Sequence, residues 1–256
     1  MKQPLSKLLN RADIWRSSAP LQRQQGIASG YAALDQALHQ GGWPIQAITE
    51  LLYDPPTTGA LQLLLPALRR LCRDGRKLVL IDPPYLPYAP ALQAAGVAPQ
   101  QLLLVRTSTI GDQLWAAEQT MRANIAGGML CWPVDNLETG QLRKLQLAAH
   151  SSHGLSLLLR TTQASRDTSP AALRIVLTNT QRGYRLEILK QRGGWAGQQV
   201  EIACPEVLCE EQVPVTGLPV YQPAKIAAPD HPSLPVIESA ELDFPLPTAG
   251  EQTRLH

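Results

Sequence analysis

From residue 26 to residue 192, short apolar runs alternate with segments whose apolar residues return every three or four positions. Runs at 47–53, 77–82, 101–106, 128–133 and 154–160 have the length and the Leu, Ile and Val content of buried strands. Between them, 59–73, 87–96, 112–124 and 137–151 are spaced as helices, and Leu114, Ala117, Glu118 and Met121 line one face of the third. Strands alternating with helices predict a parallel sheet covered on both faces. The pattern then changes: 171–180 and 184–191, joined by Gln181-Arg182-Gly183, predict an antiparallel hairpin at the sheet edge. The expected fold class is therefore α/β, a mostly parallel twisted sheet flanked by helices with an antiparallel edge hairpin. Pro66 falls inside the helix at 59–73 and is expected to kink it, because it removes a backbone donor. No internal repeat is visible.

Upstream, Leu5, Leu8, Leu9, Ala12 and Trp15 share one helical face, and a polar stretch at 17–25 separates them from a short helix around Leu34, Ala37 and Leu38 ended by Gly41-Gly42. Charge divides the chain more sharply than its net of +2 implies. Residues 1–204 carry 21 basic and 13 acidic side chains, whereas 205–256 carry two basic and eight acidic ones together with nine of the 22 prolines. These shifts predict an N-terminal helix and linker at 1–25, a core domain at 26–204, and an acidic Pro-rich tail at 205–256. Such a tail is disordered or binds a partner through scattered anchors, among them Tyr221 and Phe244, or it merely keeps the chain in solution. The charged, interrupted N-terminus has no signal-peptide core and no apolar run reaches the ~18 residues of a membrane span, so the expectation is a cytoplasmic protein. Cys72 and Cys131 read as buried structural thiols, and Cys204 and Cys209, at the C-x4-C limit of zinc-hook spacing, read as structural thiols too.

The candidate chemistry lies in TELLYDPPTTGALQLLL, residues 49–65, which has the strand, loop and helix of a phosphate-binding site. A working loop of that kind reads G-x-x-x-x-G-K-[ST], with glycines that let backbone amides wrap the phosphates and a lysine and hydroxyl for charge and Mg²⁺. Counting from Gly59, the first glycine position holds Asp54, the lysine position Ala60 and the hydroxyl position Leu61. Asp54 repels a polyphosphate, while Pro55 and Pro56 remove two donors.

The run from Ser29-Gly30 through Leu34-Asp35-Gln36-Ala37-Leu38, Gly41-Gly42-Trp43-Pro44 and Glu50-Leu51-Leu52-Tyr53 resembles the entry to the RecA recombinase core, and the likeness extends over roughly residues 26–192. The resemblance implies a RecA-like fold. It also marks departures. The water-activating glutamate position after the second strand is Pro84, and the acidic residue ending the magnesium-binding strand is replaced by Trp132, with Asp135 a few residues late. The two DNA-binding loops of that family shrink here to 134–139 and 161–170. Within RecA-like chains that have lost the phosphate loop, this one is most similar to the ImuA family. That implies a non-catalytic accessory factor, without cofactor or metal, of SOS-induced error-prone translesion DNA synthesis. The implied partners are an ImuB-type polymerase-like protein, an error-prone C-family polymerase and RecA. The related SulA group, whose members inhibit cell division by binding FtsZ, is the alternative, and an ATPase with an unconventional site is a third reading.

Several residues keep two readings. Arg160, Arg166, Arg174, Arg182, Arg185 and Arg192 either converge on single-stranded DNA phosphates, with Tyr184 and Trp195 as the nearby aromatics, or are ordinary solvated side chains. Leu8 and Trp15 either dock on a partner or pack on their own domain. His150 and His153 read as a helix cap or surface pair rather than a metal site.

Overall fold

A computed structural model describes residues 26–54, 59–134 and 136–203. The elements, in chain order, are α1 (Ala32–Ala37), β1 (Ile48–Leu52), α2 (Gly59–Arg73), β2 (Lys77–Ile81), α3 (Ala89–Ala94), β3 (Leu102–Val105), α4 (Ile110–Ala123), β4 (Ala126–Cys131), α5 (Thr139–Ala149), β5 (Leu155–Arg160), a 3-10 turn (Thr162–Arg166), β6 (Leu173–Thr180), β7 (Gly183–Gln191) and β8 (Gln199–Ala203). They form an α/β fold around one eight-stranded sheet ordered β3-β2-β4-β5-β1-β6-β7-β8. Pairing is parallel from β3 through β6 and antiparallel for β6-β7 and β7-β8.

The alternating directions of strand side chains produce two apolar layers. Leu51, Leu78, Leu80, Leu130, Leu157 and Leu159 face α1, α2 and α3, while Ile48, Val79, Ile81, Met129, Cys131 and Leu158 face α4 and α5. Central strands covered on both sides need no polar alternation, and β1, β4 and β5 are buried along their whole length. α2 buries Leu63, Leu64, Ala67, Leu68 and Leu71, one stripe at helical spacing.

Local capping sets the helix ends that apolar spacing left open. The Thr109 hydroxyl accepts from the Asp112 amide at 3.1 Å, so α4 begins at Ile110, and left-handed Asn124 closes it. A capping box between Glu138 and Gln141 starts α5 at Thr139. α2 continues through Pro66. Gly30, at φ 92°, leaves the proline ring a space that a Cβ would enter to within 2.3 Å of the Pro66 Cβ.

The expected antiparallel hairpin forms at this edge of the sheet as β6 and β7, and β8 extends it as the outermost strand. β8 also goes beyond the expected set, although Val200 and Ile202 inward with Gln199, Glu201 and Ala203 outward is a plain two-residue period. Among the described residues no helix is long and apolar enough to cross a membrane.

Candidate functional site

β1 goes on to α2 on one side of itself, while β5, its neighbour on that side, connects across it to β6 on the other. Chain reversals of this kind open a crevice at the carboxyl ends of parallel strands. Here that end carries Tyr53 and Asp54 after β1, Asp82 after β2, Trp132 after β4 and Thr161 after β5.

Side chains of the chain itself tie this end together. The Trp132 indole donates from Nε1 to the Tyr53 hydroxyl at 3.0 Å. Asp82, in the left-handed region at φ 49°, accepts from the Thr107 amide at 2.8 Å, from the Thr107 hydroxyl, and from Gln113 Nε2 at 2.8 Å. Gln113 is fully buried, and its amide also donates to the Trp132 carbonyl at 2.8 Å while its Oε1 accepts from the Val134 amide at 3.3 Å. Gln113 thus bridges the loops after β2 and β4. Arg106 donates to the Pro83 carbonyl and holds the same turn from the other side. Asp54 accepts from both the amide and the hydroxyl of Thr162.

The positions expected to have lost nucleotide chemistry occupy packed or exposed sites around this network. Ala60 is 3% exposed and Leu61 half-buried on α2, Pro84 is exposed on the turn after Asp82, and Trp132 is half-buried over Tyr53. Gly59 lies against β6 and β7: a Cβ there would come within 2.5 Å of Asn179 Oδ1 and 2.7 Å of Tyr184 Cε1. Pro55, Pro56 and Asp135 lie outside the described residues. Burial pushes the Tyr53 phenol above its ordinary value, against the opposing hydrogen bond from Trp132 and with a smaller upward push from Tyr85.

The six arginines do not form one exposed cluster. Glu50, fully buried on β1, accepts from Arg160 Nη1 at 2.7 Å and from Arg174 Nε at 2.6 Å. Register explains the meeting: Glu50 pairs with Arg174 across β6, and Arg160 pairs with Leu52 two residues along the same face. Arg174 also donates to the carbonyls of Ala164 and Asp167, and Lys190 to that of Ser169 at 2.6 Å. The segment 161–170 is thereby fastened over Glu50. Arg185 pairs with Glu201 at 2.9 Å. Arg166, Arg182 and Arg192 are exposed, but Arg182 and Arg192 flank opposite ends of β7, roughly 30 Å apart by strand rise. Tyr184 is buried, its hydroxyl donating to Gln62 Oε1 at 2.7 Å, and so offers no stacking face.

Among the described residues no group of three or more His, Cys, Asp or Glu side chains is placed to hold a metal. His150 caps α5, whereas the His153 ring contacts Asn124 and Gln46. Cys72 and Cys131 are free and buried, as expected, and burial raises both thiols, Cys131 further through the nearby Asp82 carboxylate. Leu8, Trp15, Tyr221, Phe244, Cys204 and Cys209 lie outside the described residues.

Sequence reasoning missed a groove of about 1440 Å³ beside this network. Its floor includes Tyr53 and Trp132, one wall is the outer face of α2 with Leu61 and Leu65, and the facing lip is the turn leading to α3. Tyr85, Leu86 and Tyr88 on that lip are 65–71% exposed. Arg69, Arg70 and Arg73, all exposed, edge the α2 wall. The signal was present in two short strings: RRLCR, which places Arg69 and Arg73 one turn apart on the helix, and PPYLPY, which crowds aromatics into a proline-rich turn.

No protein-family model matches the chain, and none of the curated proteins matches its sequence.

Proposed function

We propose that this chain is a RecA-like, non-enzymatic accessory factor of the ImuA type. In this reading it assembles with an ImuB-type protein, and through it an error-prone polymerase, or with RecA, in damage-induced translesion synthesis. One observation carries the reading. The ends of β1, β2 and β4, where a nucleotide-hydrolysing core of this kind keeps its cations and acids, are joined by contacts within the chain: Trp132 to Tyr53, and Gln113 to Asp82 and the loop after β4.

Phosphate chemistry needs mobile or unengaged charge facing the ligand. Asp82 already accepts three hydrogen bonds from its own fold, Arg160 and Arg174 are committed to Glu50, and Ala60 and Leu61 provide neither cation nor hydroxyl. What the surface beside this network does offer is apolar area edged by arginine, which suits protein docking.

The test is affinity capture of the full chain from cells exposed to DNA damage, with the partners identified by mass spectrometry. Recovery of an ImuB-type protein or of RecA is the expected result. Recovery of FtsZ alone, with filamentation on overexpression, moves the assignment to the SulA type. DNA-stimulated ATP hydrolysis that follows the purified chain and disappears on changing Gly59 overturns it.

A further inference from the structure

We infer that the groove between α2 and the turn at residues 82–88 is a docking site for an acidic polypeptide segment bearing aromatic or large aliphatic anchors. Size selects the class of occupant. At about 1440 Å³ the groove exceeds the 300–1,000 Å³ typical of small-molecule pockets, and it is long enough to line both α2 and α3. Its walls are apolar, with Leu61, Leu65 and Pro66 from α2 facing Tyr85, Leu86 and Tyr88.

The lip is stiff. Pro83, Pro84, Pro87 and Pro90 limit φ on either side of the two tyrosines, and Asp82 and Arg106 pin the start of the turn through Thr107, Gln113 and the Pro83 carbonyl. Exposed tyrosines held on a rigid backbone lose little conformational entropy when covered, which is the condition under which aromatic contacts contribute most to affinity.

Charge selects the sign. Arg69, Arg70 and Arg73 stand along the α2 wall, and no ion pair involving them occurs among the described residues. Two carboxylates line the groove. Asp82 is occupied by Thr107 and Gln113, leaving Asp74, beyond the end of α2, as the other acid. Arginine beside tyrosine is the composition of interface centres, and a guanidinium edge favours carboxylates in bidentate geometry. The inference rests on the proposed docking role only in taking the surface as a protein-binding one. It survives failure of the lesion-bypass assignment, because its assay contains no component of that pathway.

The experiment is fluorescence anisotropy with the full chain and a labelled synthetic peptide in which glutamates alternate with phenylalanine and leucine. A peptide with lysine at every glutamate serves as its control. Saturable binding of the acidic peptide, weakened at least tenfold by Arg69→Glu/Arg70→Glu/Arg73→Glu and separately by Tyr85→Ser/Tyr88→Ser, is expected, with circular dichroism and thermal midpoint unchanged because every replaced side chain is exposed. Equal binding of the lysine peptide, or indifference to both sets of substitutions, overturns the proposal. So does sedimentation showing that the chain is a dimer which Tyr85→Ser/Tyr88→Ser dissociates, since the groove would then belong to a second copy.

Discussion

Replacing Glu50 by glutamine perturbs one atom pair at the centre of the sheet, and the structure sets the size of the effect. The Glu50 side chain is 0% exposed, and those of Arg160 and Arg174 are 3% and 7% exposed, so solvent does little to screen the three charges. A glutamine retains one acceptor but turns an NH2 toward a guanidinium, donor against donor, and leaves two buried cations without their shared counter-ion. Removing one member of a buried ionic group typically costs about 3–5 kcal/mol. With a urea slope of roughly 2 kcal/mol per molar, the midpoint falls by about 2 M, read by circular dichroism. The companion variant Glu50→Met/Arg160→Leu/Arg174→Leu removes all three charges and is expected to stay close to the parent in stability, since apolar replacement of a whole buried group is often neutral. It also cuts the bonds from Arg174 to Ala164 and Asp167, so proteolysis at 162–167 should accelerate even while the body stays folded. A Glu50→Gln midpoint within about 0.3 M of the parent refutes the reasoning, because the charges would then be sharing far more solvent than this packing allows.

Two further outcomes follow from the same packing. Gly59→Ala pushes a methyl group to 2.5 Å from Asn179 Oδ1 and 2.7 Å from Tyr184 Cε1, and should cost about 1–3 kcal/mol in denaturant melts, partly restored by adding Asn179→Ala; an unchanged midpoint would mean that β6 and β7 give way freely. Tyr53, Cys72 and Cys131 all titrate above their ordinary values of 10.0, 9.0 and 9.0, so the folded state keeps protons that the unfolded chain releases. Their stabilising contribution is complete below about pH 9 and is lost as pH rises, first through the thiols and then the phenol. Thermal midpoints should be flat through neutrality and fall above pH 9, and a midpoint that rises there contradicts the assigned burial.

The alternation of strands and helices was legible because it follows from one-dimensional spacing. Leu63, Leu64, Ala67, Leu68 and Leu71 recur with the helical turn, and LSLLLR at β5 is a continuous run of the kind a doubly covered strand requires. Helix ends were less legible, since they depend on single polar atoms such as the Thr109 hydroxyl and the paired side chains of Glu138 and Gln141. β8 carried a readable two-residue period, but five residues beyond a turn are a weak signal until β7 offers them an edge.

What the sequence alone determined is the layered α/β plan and the replacement of lysine and hydroxyl by Ala60 and Leu61 at the two positions after Gly59, because hydrophobic period and residue identity are properties of the chain in one dimension. What only the tertiary structure decided is which charges remain available. Arg160 and Arg174 look like any other arginines in the sequence, 14 positions apart. They become buried partners of one carboxylate only because parallel pairing brings β5 and β6 to either side of β1. The same folding leaves Arg69, Arg70 and Arg73 beside two exposed tyrosines, a juxtaposition that no sequence spacing encodes, since α2 and the turn after β2 meet only when both lie against the same sheet.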